Sequence, residues 1–423
     1  MRTPSLLALV CLVALLPACN LDIKQCIGDC LAIGDGGPGG GGLGGEIGSC
    51  EIVDNLFEPT TCHDGVSQPG ELCFVGTLGV DPPSPITSSI VLPLDDRFGV
   101  DMLITQANDS VTPQLFNVGN FFTSQAWPDP LATTPVLHAA GDFDEDGAVD
   151  VVATTRTLTE GRLIRALLLD GAGGLAEVRL VKNVESVVTL DAADWNGDGH
   201  LDIVAVTPPA PGVDNLFVFL GDGTGEFTET VGPVIARPVP THVLAALDAD
   251  GRSDDFVFTD DAGGRIVRHA GGQQIVTAPG MPAELWFHEF AVADLDGDGL
   301  GDLVGVATNT EFESSEAAVF LQRDSGEFID PVRYPVHCDA RLLALADLDG
   351  DGRLDIITTG TNAFSTFRRG DGAGGFAAVR SISFGGLQEG DSFFVADFKA
   401  DGTGDLAGTS IATGGLLFSA SVD

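Results

Sequence analysis

The stretch that decides the fold is Asp294-Leu-Asp296-Gly-Asp298-Gly299-Leu300-Gly-Asp302. Acids stand at its first, third, fifth and ninth positions and a glycine at its sixth. The same frame recurs as Asp142-Phe-Asp144-Glu-Asp146-Gly147-Ala148-Val-Asp150. It recurs again as Asp194-Trp-Asn196-Gly-Asp198-Gly199-His200-Leu-Asp202 and Asp347-Leu-Asp349-Gly-Asp351-Gly352-Arg353-Leu-Asp355. Two eroded copies keep the phase. Ala246-Leu-Asp248-Ala-Asp250-Gly251-Arg-Ser-Asp254 lacks the first acid, and Asp397-Phe-Lys399-Ala-Asp401-Gly402-Thr-Gly-Asp405 carries a lysine at the third position. The first positions are 142, 194, 246, 294, 347 and 397, at intervals of 52, 52, 48, 53 and 50 residues. A seventh, more eroded copy, Pro93-Leu94-Asp95-Asp96-Arg97-Phe98-Gly99-Val100-Asp101, lies 49 residues before Asp142.

Each copy sits in the same surroundings. One apolar run leads in, as in Val187-Val-Thr-Leu190 and Leu342-Leu-Ala-Leu345. Another leads out, as in Asp150-Val-Val-Ala-Thr154 and Asp355-Ile-Ile-Thr-Thr359. A third, such as Leu216-Phe-Val-Phe-Leu220, ends on a glycine-rich turn: Asp170-Gly-Ala-Gly-Gly174, Gly221-Asp-Gly-Thr-Gly225 or Gly370-Asp-Gly-Ala-Gly-Gly375. A weaker fourth run follows, as in Glu226-Phe-Thr-Glu-Thr-Val231. Short runs rich in β-branched and aromatic residues between Asp/Gly turns are strands. No long helical period interrupts them. Four strands in each of seven units predict an all-β, seven-bladed β-propeller over residues 74–423. The last unit ends after its third strand, Leu416-Leu-Phe-Ser-Ala420, which would leave a sheet edge open. The segment Phe74–Val80 is therefore expected to supply the missing outer strand.

The loops have a chemistry of their own. A hard cation such as Ca²⁺ takes about six to eight oxygens from a flexible cage. Side chains at positions 1, 3, 5 and 9 of a tight turn can converge on one point, and glycine at position 6 lets the chain reverse. The side-chain ligands expected from the intact loops are Asp142, Asp144, Asp146 and Asp150; Asp194, Asn196, Asp198 and Asp202; Asp294, Asp296, Asp298 and Asp302; and Asp347, Asp349, Asp351 and Asp355. Position 7 would add a backbone carbonyl, from Ala148, His200, Leu300 and Arg353, with the His200 ring pointing away. Cys and His are absent from the side-chain positions, which disfavours zinc and copper. The eroded loops offer Asp248, Asp250 and Asp254, and Asp397, Asp401 and Asp405. Whether these two hold metal is open, since the ammonium of Lys399 could take a cation's place. An EF-hand is excluded by the lack of a Glu at position 12 and of flanking helices. Several structural Ca²⁺ ions are the expected cofactors.

The loop, together with the Gly-Asp-Gly-x-Gly-x-Phe turn at Gly221 to Phe227 and Gly370 to Phe376, resembles the FG-GAP/VCBS repeats. Relatives of these repeats form the propeller of integrin α chains. The resemblance covers about residues 75–423 and implies a calcium-binding propeller.

Charge narrows the function. The chain has 423 residues, with 62 Asp and Glu against 20 Lys and Arg, a formal net charge of −42, and 44% hydrophobic residues. That much apolar material supports a core. The charge opposes sequence-independent nucleic-acid binding, which needs basic residues to neutralise phosphates. It opposes electrostatic docking on an anionic bilayer as well. A third of the acids stand in the loops, so part of the acidity is a demand for cations.

The N-terminus reads as an address. Residues 1–18, MRTPSLLALVCLVALLPA, have the form of an export signal too short to span a bilayer. Leu16-Pro17-Ala18-Cys19 resembles the lipobox of bacterial lipoproteins. That resemblance implies cleavage before Cys19, a diacylated Cys19 as the only link to the membrane, and, with Asn20 next, an outer-membrane lipoprotein facing the periplasm or the surface. Residues 19–49, which include the run Gly34-Asp-Gly-Gly-Pro-Gly-Gly-Gly-Gly-Leu-Gly-Gly45, form a flexible linker. Residues 50–73 form a small Cys-rich segment. Its Cys62-His-Asp-Gly-Val-Ser-Gln-Pro-Gly-Glu-Leu-Cys73 resembles a Cys-rich repeat of myxobacterial surface proteins. Cys26, Cys30, Cys50, Cys62, Cys73 and Cys338 are expected to pair mostly as disulfides in an oxidising compartment, with connectivity open.

No catalytic motif is present: there is no G-x-S-x-G, and His288-Glu289 is not followed by a second zinc-ligand histidine. His138, His242 and His288 precede Asp loops on strands expected to be innermost. They could line a central site or be ordinary strand residues. Trp127, Trp195 and Trp286 are expected as packing anchors, with sugar stacking the alternative. The sequence thus predicts a non-enzymatic, envelope-anchored, calcium-stabilised propeller for binding, adhesion or scaffolding, with a protein or glycan partner. A hydrolase or lyase acting on polysaccharide at the channel mouth is the alternative.

Overall fold

The computed structural model describes residues Leu78 to Ser419, apart from 81–83, 95–99, 108–110, 118–119, 124–126, 128–134, 158–160, 209–215, 232–241, 246, 248–254, 261–262, 271–272, 278–280, 283, 310–313, 338, 361–364, 383, 385–386, 388–390, 399–403 and 411–414. The expected export signal, Cys19, the expected linker and Cys-rich segment, and Cys338 lie outside the described residues. So do Asp248, Asp250, Asp254, Lys399 and Asp401. The chain divides into Met1–Ser49 and Cys50–Asp423, and all that follows concerns the second unit.

Among the described residues every regular element is a strand, and no helix is long and apolar enough to cross a membrane. Twenty-eight strands form seven four-stranded antiparallel sheets. β1 (Leu78–Val80) belongs to the last of them. The first sheet holds β2 (Ile86–Leu92), β3 (Asp101–Gln106), β4 (Val111–Asn117) and β5 (Asn120–Thr123); the second holds β6 (Val136–Gly141), β7 (Asp150–Thr157), β8 (Gly161–Leu169) and β9 (Leu175–Val184). The third holds β10 (Thr189–Ala193), β11 (Asp202–Val206), β12 (Leu216–Gly221) and β13 (Phe227–Val231); the fourth holds β14 (His242–Ala245), β15 (Asp255–Asp260), β16 (Gly263–Ala270) and β17 (Gln273–Thr277). The fifth holds β18 (Leu285–Ala293), β19 (Asp302–Asn309), β20 (Ser314–Phe320) and β21 (Val332–Pro335); the sixth holds β22 (Ala340–Ala346), β23 (Asp355–Gly360), β24 (Ser365–Arg368) and β25 (Arg380–Ile382). The seventh holds β26 (Ser392–Ala396), β27 (Asp405–Ser410), β28 (Gly415–Ser419) and β1.

The seventh sheet is completed from the other end of the chain. Leu78 pairs with Phe418, Gly79 with Leu417 and Val80 with Leu416. The strand comes from within the expected segment Phe74–Val80.

The sheets form a closed cycle of neighbours. β2 lies against β6, β6 against β10, and so on through β14, β18 and β22 to β26, which lies back against β2. Each junction holds its own apolar core, and the residue after position 1 of each loop fills it. Leu94 packs between the first and second sheets, Phe143 between the second and third, and Trp195 between the third and fourth. Leu247, Leu295, Leu348 and Phe398 continue the series, the last closing the seventh sheet on the first. All seven are buried. Burying large side chains at about 25 cal/mol per Å² makes each junction a source of stability.

Four innermost strands carry a bulge near their start, at Thr87, His138, His288 and Arg341. A bulge turns one extra side chain out of the regular alternation. At three of these sites it aims a polar group at a hydroxyl of the next strand: Thr87 Oγ1 at Thr105 Oγ1 (2.9 Å), His138 Nε2 at Thr154 Oγ1 (3.0 Å) and His288 Nε2 at Thr308 Oγ1 (2.8 Å).

Candidate metal centres

The Asp loops join the first strand of each sheet to the second. Their glycine at position 6 is in the left-handed region, with φ of 93° at Gly147, 92° at Gly199, 87° at Gly299 and 83° at Gly352. The turn then folds back so that backbone N–H groups point at the carboxylates. In the fifth sheet Asp294 Oδ1 accepts from Gly297 N (2.7 Å) and Asp298 N (3.2 Å), and its Oδ2 accepts from Gly299 N (3.0 Å). Asp347, Asp194 and Asp142 accept from the same glycine, Gly352 (2.7 Å), Gly199 (3.0 Å) and Gly147 (3.1 Å). Position 5 accepts from position 7 in all four loops: Asp146 from Ala148, Asp198 from His200, Asp298 from Leu300 and Asp351 from Arg353.

Three of the four intact loops bring three carboxylates within reach of one ion. Asp142, Asp144 and Asp146 each offer an oxygen within 4.8 Å of the others, as do Asp294, Asp296 and Asp302, and Asp347, Asp349 and Asp351. Gathering like charges has a cost. Burial and the neighbouring Asp146 and Asp142 hold the Asp144 carboxyl above its usual range. Asp142 Oδ1 and Asp349 Oδ1 are buried with no hydrogen-bond partner. Crowded hard oxygen donors, two of them unpartnered, fit a hard divalent cation.

The fourth intact loop is arranged differently. Asn196 Nδ2 donates to Asp198 Oδ2 (2.8 Å) and Asn196 Oδ1 accepts from Asp198 N (2.8 Å), so the amide closes the loop on itself. These bonds hold the Asp198 carboxyl below its usual range, led by the His200 N–H. The His200 ring leaves its own loop and meets Glu145 in the loop of the second sheet. The sixth-sheet loop also has a resident cation: Arg369 Nε lies 2.7 Å from Asp349 Oδ2.

Position 9 has a role the sequence did not reveal. Asp150 Oδ2 accepts from Phe143 N (2.9 Å) while its Oδ1 accepts from Leu169 N (2.8 Å). Asp202 holds Trp195 N and Gly221 N, Asp302 holds Leu295 N and Gln322 N, and Asp355 holds Leu348 N and Gly370 N, all at 2.8 to 3.1 Å. Each carboxylate therefore staples its own loop to the glycine-rich turn of the same sheet. Burial pushes all four carboxyls up to about 6, against the pull of those N–H groups. In the fourth sheet this role belongs to Asp255, not Asp254: Asp255 heads β15 and accepts from Leu247 N (2.9 Å). That loop is one residue longer than the nine-residue frame. Asp397 and Asp405 are both described, with Asp405 buried at the head of β27.

A family profile described as FG-GAP-like repeat matches residues 142–205, 194–257 and 347–407. Residues 142–257 and 347–407 thus match FG-GAP-like repeats. No curated protein matches the sequence. Among solved structures, BBS1N in complex with ARL6DN, soaked with mercury, aligns with a TM-score of 0.50 and 10% identity over 82% of this chain and 96% of that one. The WD40 domain of Toxoplasma gondii coronin aligns with a TM-score of 0.48 and 12% identity over 82% and 87%. At 10% identity the first of these likenesses speaks to fold alone, a β-propeller-like one.

Of the three tryptophans, Trp127 (7% exposed) and Trp195 (5%) are anchors, the first donating from Nε1 to Gly173 O (2.8 Å). Trp286 is 62% exposed, contrary to the expected packing role.

Proposed function

We propose that this chain is a calcium-stabilised, seven-bladed propeller serving as a non-enzymatic binding scaffold. The reading includes tethering to the cell envelope through a lipid on Cys19. The observation that carries the calcium is the convergence of three carboxylates in each of three loops. Asp142, Asp144 and Asp146, Asp294, Asp296 and Asp302, and Asp347, Asp349 and Asp351 would hold the ions. A bound ion would cancel the repulsion within each loop and tie two strand ends together. A ligand that binds only the folded form adds about 2.7 kcal/mol at 100-fold over its dissociation constant, so several sites would add up.

The supporting experiment is calcium titration of the metal-stripped full chain by calorimetry, with melting followed in calcium and in chelator. Binding heat and a higher melting temperature in calcium are expected. No heat and no shift would remove calcium from the proposal. Mass measurement of the membrane-extracted chain tests the tether, which fails if residues 1–18 remain attached.

A further inference from the structure

The end of the innermost strands remote from the Asp loops carries a second group of chemical side chains. Leu285 and Phe287 of β18 face the core between the fourth and fifth sheets. The residue between them, Trp286, therefore faces the sixth sheet. Its cross-strand partner is Thr308 of β19. Thr308 lies two and four residues beyond Val306 and Val304, which pack in the core shared by the fifth and sixth sheets. The bulge at His288 turns its ring to the same side, where Nε2 meets Thr308 Oγ1 at 2.8 Å. From β22 the bulged Arg341 reaches across, its Nη1 2.6 Å from His288 Nε2 and 3.0 Å from Nδ1. Among the described residues no carboxylate pairs with Arg341, in a chain with 62 acids against 20 basic residues. An exposed indole, an imidazole and a guanidinium with no carboxylate partner among the described residues thus lie where β18 meets β22.

We propose that Trp286, His288 and Arg341 form a subsite for a single carboxylate-bearing sugar, a terminal uronate on an otherwise neutral glycan. An exposed indole face packs on the C–H face of a sugar ring. A guanidinium takes a carboxylate through two parallel hydrogen bonds. His288 holds the guanidinium in place without adding charge. The net charge of −42 repels a polyanion, which is why one acidic residue, not a polyuronate, fits. This deepens the scaffold reading by naming a ligand class and a face, and it rests on that reading.

The test titrates the calcium-loaded full chain with methyl glucuronide, methyl glucoside, acetate and acetylglycine, following tryptophan fluorescence and saturation-transfer NMR. Trp127 and Trp195 are buried, so the response reports Trp286. Glucuronide is expected to bind at least about tenfold more tightly than glucoside, with neither acetate nor acetylglycine matching it. Arg341→Gln should reduce glucuronide to the glucoside level, and Arg341→Lys should recover part of the loss. Trp286→Ala should abolish the NMR signal without changing the melting temperature, because the side chain is exposed. Equal binding of glucoside, equal binding of acetylglycine, an unaffected Arg341→Gln variant, or no binding up to roughly 10 mM would each overturn the subsite. The calcium-dependent melt of the same sample judges the scaffold reading separately: it fails if calcium leaves the melt unchanged.

Discussion

Replacing Asp150 with Ala separates the staple from the metal cage. Asp150 is outside the cluster formed by Asp142, Asp144 and Asp146, and both of its oxygens are committed to Phe143 N and Leu169 N. The substitution strands two buried N–H groups at about 1–3 kcal/mol each, roughly 4 kcal/mol together. Part of this is offset, because burial of the carboxylate, which pushes its pKa up to about 6, is relieved. The rise from 3.8 to about 6 is worth about 3 kcal/mol at neutral pH, so a net loss of about 1 kcal/mol remains. Unfolding entropy of about 2.1 cal/mol/K per residue over some 350 residues converts this to a melting-temperature fall of about 1–2 °C. The comparison is Asp146→Asn, which keeps an oxygen to accept from Ala148 N (2.8 Å) but removes a charge from the cage. Scanning calorimetry in chelator and in calcium should show Asp150→Ala destabilised in both. Asp146→Asn should be no less stable than the parent in chelator and lose only the calcium increment. If the Asp150→Ala deficit disappears in chelator, the carboxylate is a metal ligand and the staple argument is wrong.

Glu289, which accepts from Leu343 N across the fifth and sixth sheets, is pushed by burial from 4.5 to about 7. Its folded pKa is raised, so native Glu289 holds a proton the unfolded chain releases between pH 4.5 and 7, and stability is lost as pH rises through that window. Glu289→Gln should therefore be more stable than the parent at pH 8, by up to about 3 kcal/mol, with the gap closing toward pH 4.5; a pH-independent gap contradicts this. Gly370→Ala would place a Cβ 2.2 Å from Leu354 O, backbone against backbone, and should cost about 2 kcal/mol or more in denaturant unfolding; a neutral effect would show that the Asp loop and the glycine turn are not in contact. Deleting residues 74–80 removes β1 and leaves β28 as an open edge, so the melting temperature should drop sharply, and an unchanged melt would refute closure by that strand.

The repeat was legible because its signals are local. Acids at fixed offsets, glycine at the sixth position and short apolar runs mark strand ends wherever they occur, and the missing strand of the last unit pointed to the N-terminal segment. What stayed hidden depends on partners distant in sequence. Asp150 reads as one more ligand until Leu169, 19 residues on, is seen to need an acceptor. Arg369 gives no sign in the sequence that it lies against Asp349. At Ser253-Asp254-Asp255 two adjacent acids fit the frame, and only the strand start at Asp255 chooses between them. Trp286 could have been found, since alternation along Leu285-Trp286-Phe287 must turn one large apolar side chain away from the other two.

The loops therefore combine two devices that share a residue type. Asp101, Asp150, Asp202, Asp255, Asp302, Asp355 and Asp405 head the second strands of all seven sheets, and all are buried. This holds even where the cage has eroded: in the first sheet Asp101 Oδ2 still accepts from Leu94 N (3.0 Å), although positions 1 and 5 of that copy are Pro93 and Arg97. A metal ligand has no reason to persist where its fellow ligands are gone. A staple does, because the N–H after position 1 is fixed in place by the apolar side chain of the same residue, locked in the junction between sheets. Asparagine there would turn a donor toward one of the two N–H groups, so only a carboxylate satisfies both. The acidity of the chain thus has one part gathered in the loop clusters and one buried part that pins the loops, and in the fifth sheet Asp302 belongs to both. Calcium, bound as proposed, would tighten a closed cycle of sheets whose loops are already pinned by the fold.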